Sequence, residues 1–334
     1  MESNKRPSVS VIINTYNYGH FIDIAIDSIL AQTFDKDDME IIVVDDGSTD
    51  DTPARLKKYE GRVFCIRKEN GGQASALSIG ITHAKGEIIA LLDSDDYWVP
   101  DKLKVAVDYF KNNSSLDIFY HNLQIVDISG IPAKPYYTDI PAASTPEKIN
   151  TASFLRGFLR TFPPTSGMTF RKSCFDKIMP IPDYYKICAD TYIHFLAYLN
   201  AREILFVPDM YGCYRVHGSN NFLNGNEVNK LNLLIHIYTL LASDLTLYGK
   251  SSERDTSSLV KRVEFLVEHW KLELKISTLP ASKKILYPWY MLCKIRMLFM
   301  LALKGNKVRR LLQCCKQDIL KNIISNDQKI KDVG

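Results

Sequence analysis

Two short segments of the 334-residue chain gather carboxylates in a pattern able to bind a ligand. The denser is Asp93-Ser94-Asp95-Asp96, directly after the apolar run Ile88 to Leu92. Carboxylates this close repel one another unless a cation sits between them. Hard divalent cations such as Mg²⁺ or Mn²⁺ take oxygen ligands, and Mg²⁺ is usually held by one or two carboxylates plus substrate phosphates. A solvated acidic turn capping a helix near residues 100–110 explains the same residues without a ligand. The second segment, Asp45-Asp46, ends another apolar run, Ile41 to Val44. A carboxylate there accepts the N3–H of uracil or thymine, and Tyr16 on a neighbouring loop offers a ring for base stacking. A turn and N-cap leading into a helix at Pro53 fits Asp46-Gly47-Ser48-Thr49-Asp50 equally well, and both readings hold together.

These residues need elements that bring them to one place. Val9 to Ile13 is a short, β-branched apolar run followed by the polar Asn14-Thr-Tyr-Asn-Tyr-Gly19, which reads as the exit from a buried strand. Ile22, Ile26, Ile29 and Leu30 then repeat at helical spacing, and Ile41 to Val44 is a second buried strand. Strand, helix and strand in succession make a βαβ unit with parallel strands and a right-handed crossover. A helix near Pro53 to Tyr59, a strand at Val63 to Ile66, a helix near Ala74 to Thr82 and a strand at Ile88 to Leu92 continue the alternation. The expected fold class is α/β, a doubly wound, mostly parallel sheet, in which ligands bind outside the carboxyl ends of the strands. Three of those ends carry the polar groups: Thr15-Tyr16-Asn17, Asp45-Asp46 and the acidic turn at 93–96.

Composition narrows the function classes. Apolar residues make up 46% and charged residues 24% of the chain, average values that exclude disordered and collagen-like classes. Seven cysteines without a C-x-x-C pair indicate neither a zinc ribbon nor a disulfide framework, and a reducing cytosol fits them. The N-terminus runs into a five-residue apolar strand where a secretory signal would need a longer apolar region, so a cytoplasmic protein is expected. No G-x-x-x-x-G-K-[ST] loop is present and no G-x-G-x-x-G follows the first strand, which argues against P-loop and dinucleotide enzymes.

The segments Val11-Ile-Ile-Asn-Thr-Tyr-Asn17, Val43-Val-Asp-Asp-Gly-Ser-Thr-Asp50, Asn70-Gly-Gly-Gln-Ala-Ser-Ala-Leu77 and Asp93-Ser-Asp-Asp96 resemble, in order and spacing, the family 2 glycosyltransferases of the GT-A fold. These motifs cover residues 8–100, with a looser resemblance to about 222. The resemblance implies transfer of a sugar from a nucleotide diphosphate donor, with a divalent metal (Mn or Mg) at the acidic turn. Carried over, Tyr16 and Asp46 hold the base with Thr15 and Asp45 beside them, Asp93 lies by the ribose and metal, and Asp95 is the main metal ligand. Asn14 stands where the family commonly has Pro, which relaxes a φ constraint and removes no functional group.

Three further positions follow from the same resemblance. Cys188-Ala189-Asp190-Thr191 stands where the family has a Glu-Asp pair; the Glu is lost and Asp190 is kept as the general base. By itself Asp190 reads rather as the N-cap of the apolar helix Tyr192 to Leu199, and only its place in the ordered series of motifs makes it the base candidate. Ser166 and Gly167, in Pro164-Thr-Ser-Gly-Met-Thr-Phe-Arg171, are expected at the border of the acceptor site. In Tyr214-Arg215-Val216-His217, Arg215 or His217 would face the diphosphate and metal, against the alternative of a surface-loop histidine.

Charge divides the chain. Residues 1–225 carry 23 Lys and Arg against 28 Asp and Glu, whereas residues 226–334 carry 19 against 10. A GT-A catalytic domain is expected at 1–225, with a nucleotide-sugar half at about 8–100 and an acceptor half at 101–225. A basic α-helical region follows at 226–334, with helices over Leu231 to Leu247, Leu259 to Ile276 and Ile285 to Leu303. Residues 274–317 hold ten bases and no acid, interleaved with Ile285 to Cys293 and Met297 to Leu303. Those uncharged runs are shorter than the roughly 20 residues that cross a bilayer. An in-plane amphipathic anchor on anionic lipid fits them, with Tyr287, Trp289 and Tyr290 at headgroup depth, as does a core helix whose bases snorkel to water.

The expected protein is a metal-dependent inverting transferase using a UDP- or dTDP-sugar. Its acceptor is a hydroxyl of a glycan or polyprenyl-linked molecule in cell-surface polysaccharide synthesis, and it works peripherally at the cytoplasmic face of the membrane. A non-catalytic sugar-nucleotide or glycan-binding module is the rival reading. A nucleic-acid partner is not expected, because the bases of the tail are interleaved with a broad aliphatic stripe suited to lipid.

Overall fold

The computed structural model describes residues 7–134, 145–149, 163–218, 220, 227–252 and 254–277. The chain divides into two compact units, Met1–Gly225 and Asn226–Gly334.

The first unit is built on one sheet. Strands β1 (Val9–Thr15), β2 (Met39–Asp45), β3 (Phe64–Arg67) and β4 (Ile88–Asp93) are parallel in the order β3-β2-β1-β4. The β-branched residues of β1, β2 and β4 are buried on both faces, as a parallel sheet covered by helices requires, while β3 at the edge is mostly exposed. Helix α1 (Gly19–Leu30) buries Ile22, Ile26 and Ile29, each contributing about 2 kcal/mol over an exposed position. Helix α3 (Gln73–His83) lies close on β1 because Gly80 has no side chain; a Cβ there would stand 2.5 Å from Ile12 Cγ2. Helix α2 spans only Thr52–Leu56 and continues as a single 3₁₀ turn through Tyr59, shorter than the helix expected to Tyr59. The Tyr59 hydroxyl donates to Asp27 Oδ1 and Gly61 follows with φ 78°, so the chain leaves the helix where its last aromatic docks on α1.

Beyond β4 the sheet changes direction. The two-residue β5 (Tyr97–Trp98) leads into α4 (Lys102–Asn112), and β6 (Leu116–Val126) is followed by the short β7 (Pro132–Lys134) and β8 (Glu147–Lys148). Strand β9 (Met168–Arg171) inserts antiparallel between β4 and β6, and β10 (Glu203–Arg215) runs parallel to β6 and antiparallel to β5. Helix α5 (Ala189–Asn200) precedes β10. The expected α/β sheet is therefore present and mostly parallel in its nucleotide half, while its second half is mixed. One side chain in this half breaks the usual pattern: Lys102 is fully buried, with its Nζ donating to Thr169 Oγ1 at 2.8 Å and lying 3.8 Å above the Trp98 ring.

The second unit contains α6 (Glu227–Ser252) and α7 (Ser257–Ser277). Leu231, Ile237, Leu241 and Leu245 of α6 and Leu259, Val263 and Leu266 of α7 are buried, and Tyr238 meets Trp270 edge-on at 4.8 Å. By length and composition alone α6 could cross a membrane, at mean hydropathy 1.2. The expected helix at 285–303 and most of the basic stretch lie outside the described residues.

Candidate active site

Parallel register sets the first half of the site. Thr15 pairs with Asp45 and Asn14 with Asp93, so the ends of β1, β2 and β4 finish at one level. The loops beyond them are tied together. Asn17, in the left-handed region at φ 57°, donates its N–H to Ser48 Oγ at 2.9 Å and accepts the Thr49 N–H on Oδ1 at 2.8 Å. The Gly19 N–H donates to Asp50 Oδ2 at 2.9 Å. Between these fixed points Tyr16 is 45% exposed, its ring available for stacking.

Asp46 holds the loop after β3. It accepts Lys68 Nζ at 2.6 Å, Gly71 N–H at 2.9 Å and Gly72 N–H at 2.7 Å. A carboxylate has about four acceptor positions, so one remains open for the N–H of a base. Its neighbour Asp45 accepts the Ser48 N–H on Oδ1 at 2.8 Å, with Arg67 Nε 3.6 Å from Oδ2.

Asn14 Oδ1, Thr15 Oγ1, Asp45 Oδ2 and Ser94 Oγ are buried without a hydrogen-bond partner. Each such atom costs about 1–3 kcal/mol when left unpaired. All four lie at the carboxyl ends of β1, β2 and β4, where a ligand rich in hydroxyl, amide and phosphate groups would satisfy them.

The acidic turn divides its carboxylates between two tasks. Asp96 faces inward: Oδ1 accepts the Arg215 N–H at 2.8 Å and Oδ2 accepts the Ser166 hydroxyl at 2.6 Å. Ser166 Oγ also accepts the Asp93 N–H at 3.1 Å, and its carbonyl accepts Trp98 Nε1 at 2.8 Å. Asp95 stays at the surface of the site. Its Oδ2 lies 3.1 Å from His217 Nε2 and accepts Asn220 Nδ2 at 3.3 Å, and Tyr18 stands edge-on to the His217 ring at 5.5 Å.

Three expectations are corrected here. Ser166 and Gly167 are fully enclosed, and the Ser166 hydroxyl is used on both sides, so they brace the acidic turn where a lining of the acceptor site was expected. A Cβ on Gly167 would meet Pro163 at 2.5 Å and the His121 carbonyl at 2.8 Å, which is why the turn needs glycine. Arg215 does not present its guanidinium to a diphosphate. It is buried beside the rings of Phe21 and Tyr97, with Nε donating to the Asp95 carbonyl at 2.9 Å and Nη1 to the Ile128 carbonyl at 2.7 Å.

Burial, followed by the charges of Asp95 and Asp190, pushes the Asp93 carboxyl up to about 7. Burial, with Asp95 and Asp93, raises Asp96 well above the usual carboxylate range. A cation in the turn would reverse both shifts. Among the described residues no three His, Cys, Asp or Glu side chains converge on one point as a ready-made metal cage. The oxygen-rich turn, with Asp95 at its rim beside the buried His217, fits a Mg²⁺ or Mn²⁺ whose remaining ligands would come from substrate phosphates.

The base candidate arrives from the other half. Asp190 stands on the first turn of α5, after Cys188 in the left-handed conformation at φ 57°. Its Oδ1 accepts the Thr191 N–H at 2.8 Å, and burial pushes its carboxyl up to about 6. Its charge reaches Asp93, so the fold brings together residues 97 positions apart in sequence. Sequence reasoning missed Gln73, whose amide lies between them. The signal was a polar side chain directly after Gly71-Gly72 at a helix start. It also missed Tyr18, whose hydroxyl is raised by burial and by Asp95, Asp93 and Asp96.

A strand-end site of this kind is where mostly parallel α/β sheets bind their ligands. Residues 10–175 match the family model described as glycosyl transferase family 2. Over 222 residues the chain is 35% identical to an uncharacterized glycosyltransferase of Nostoc sp., covering 65% of this chain and 67% of that protein. It is 38% identical over 130 residues to the hyaluronan synthase of Pasteurella multocida, covering 38% of this chain and 13% of that protein. In fold it is similar to S. aureus TarS 1-349 solved in complex with UDP, at TM-score 0.55 and 21% identity, covering 83% of this chain and 74% of that chain. The same TarS fragment in complex with UDP-GlcNAc gives a TM-score of 0.54 at 22% identity over 70% of this chain and 66% of that one. The chain belongs to glycosyltransferase family 2, with the GT-A fold, and transfers a sugar from a nucleotide sugar.

Proposed function

We propose that this transferase inverts the sugar it moves, depends on a divalent metal, and takes a UDP- or dTDP-sugar to a hydroxyl of a glycan or polyprenyl-linked acceptor in cell-surface polysaccharide synthesis. The observation that carries the reading is the group of unpaired buried atoms at the ends of β1, β2 and β4, beside the exposed Tyr16 ring and the acidic turn. Tyr16 stacks on the base, Asp46 accepts its N3–H, and Thr15, Asp45 and Asp93 line the nucleoside. The UDP and UDP-GlcNAc complexes of TarS favour the uridine arm. Asp95 and His217 would hold the metal, which when bound would supply positive charge beside the diphosphate.

Asp190 takes the acceptor hydroxyl's proton as the new bond to the anomeric carbon forms. The bond from that carbon to the diphosphate oxygen breaks, and the diphosphate leaves with its electron pair. One displacement inverts the configuration. Incubation of the chain with UDP-GlcNAc, UDP-glucose, UDP-galactose and dTDP-glucose in the presence of Mn²⁺, with water as the acceptor and the released sugar read by NMR before it mutarotates, should give a product of inverted anomeric configuration from one donor. Retention would remove the inverting mechanism, and binding without turnover of any donor would favour the non-catalytic module, in which the missing Glu beside Asp190 marks lost activity.

The basic stretch 275–316 supports a place at the cytoplasmic membrane face, at about 1 kcal/mol per basic residue near anionic lipid. Flotation with vesicles containing phosphatidylglycerol should carry the full chain upward and leave behind one truncated before Ser282; equal flotation would refute the anchor.

A further inference from the structure

Gln73 opens α3 immediately after Gly72, whose φ of 89° allows a close crossing with the segment that precedes α5. A Cβ on Gly72 would stand 2.7 Å from Lys186 Cα. Two backbone bonds hold the crossing, from the Gln73 N–H to the Lys186 carbonyl at 2.9 Å and from the Ala74 N–H to the Tyr185 carbonyl at 3.2 Å. The Gln73 side chain adds a third link with both ends of its amide. Its Oε1 accepts the N–H of Ala189 at 3.0 Å, the residue directly before Asp190. Its Nε2 lies 3.3 Å from Asp93 Oδ1 and 3.4 Å from Thr165 Oγ1, a donor shared between two acceptors.

We infer that Gln73 is a positioning residue that sets the base on α5 against the donor site at the end of β4, an assignment resting on the transferase reading above. An amide of this length meets both demands. It donates toward a carboxylate while accepting from the first N–H of a helix, whereas a carboxylate repels Asp93 and an aliphatic chain leaves the Ala189 N–H unpaired. Thr165 precedes Ser166, which holds Asp93 and Asp96, so the end of β4, the turn at Thr165 and the start of α5 all touch one side chain. Gln73 does not react; it acts through the placement of Asp190.

The test compares the full chain with Gln73→Met, which keeps length and loses both bonds, and Gln73→Glu, which keeps the acceptor end and reverses the other. UDP release from the UDP-sugar that the parent turns over fastest gives kcat and KM, calorimetry gives UDP affinity, and thermal melting reports folding. Gln73→Met should lose about 10- to 100-fold in kcat, the scale of a sub-ångström to ångström displacement of a reacting group, with UDP affinity held within about threefold. Gln73→Glu, which keeps the bond from Ala189, should still melt cooperatively, at a lower temperature than the parent, and lose at least about tenfold in kcat, which keeps the question answerable if the Met variant folds poorly. The double variant with Asp190→Asn should be no slower than Asp190→Asn alone, because both changes act on one step. Unchanged kcat in a folded variant, kcat and UDP affinity falling in proportion, or losses that add in the double variant would overturn the inference while leaving the transferase reading standing. No turnover by the parent with any donor would remove that reading, and this inference with it.

Discussion

Asp190→Asn should lower kcat by about 10³-fold while UDP binding stays close to that of the parent, because general-base catalysis contributes about 10² to 10⁴ and the amide cannot take a proton. Its carbonyl oxygen can still accept the Thr191 N–H that Asp190 accepts at 2.8 Å, so the start of α5 keeps its geometry. The loss cannot be mistaken for unfolding. Burial pushes the Asp190 carboxyl up to about 6, above its unfolded value, so the native state holds the extra proton below that pH. The stability tied to that proton is present at low pH and lost as pH rises through about 6. At pH 8 the buried charge is a burden that Asn removes, and the variant should melt no lower than the parent. The same titration sets the parent's pH profile. A base must be ionised, so kcat/KM should fall tenfold per unit as pH drops below about 6, and this limb should vanish from the residual rate of Asp190→Asn. A series of kcat/KM against pH on both proteins, with their melting temperatures, checks the two statements together.

Asp95→Ala should reduce turnover by at least about 10²-fold and remove its dependence on Mn²⁺ concentration, since charge at a departing diphosphate is worth several kcal/mol. Asp95 is the carboxylate of the turn that remains at the rim, 13% exposed in its side chain and paired at 3.1 Å only with His217 among ring nitrogens. Asp96, by contrast, is spent on Arg215 and Ser166. Removing Asp95 also removes a charge that raises both Asp93 and Asp96, so the turn loses repulsion and the fold should hold. Turnover measured across a Mn²⁺ series decides it: a variant that still responds to Mn²⁺ like the parent would show that Asp95 is not the ligand.

What could be read in advance follows from distance along the chain. β1, β2 and β4 are short β-branched runs between polar ends, a local signal, and their register then puts Thr15, Asp45 and Asp93 at one level. Tyr16 keeps the exposed ring that its loop position implied. The second half gave no such signal. β9 enters between β4 and β6 from about 80 residues downstream of β4, and its antiparallel pairing depends on contacts no periodicity contains. Ser166 and Arg215 show the cost of carrying a role over with a motif. Each has a polar side chain close to the donor site, yet a bond spanning 70 residues turns the Ser166 hydroxyl onto Asp96 and one spanning 120 residues turns the Arg215 guanidinium onto the Asp95 carbonyl. Gln73 was visible as a letter in a motif, but its task depends on Ala189, 116 residues away.

The most direct measurement is a calorimetric titration of UDP into the purified full chain, with and without Mn²⁺, repeated on Asp95→Ala. The strand-end site, with its unpaired Asn14, Thr15, Asp45 and Ser94 atoms, should take one UDP per chain, at least about tenfold more tightly with Mn²⁺ than without, and that gain should disappear in Asp95→Ala. No saturable binding, or an affinity indifferent both to Mn²⁺ and to the loss of Asp95, would contradict the assignment of this site to a metal-dependent nucleotide-sugar donor.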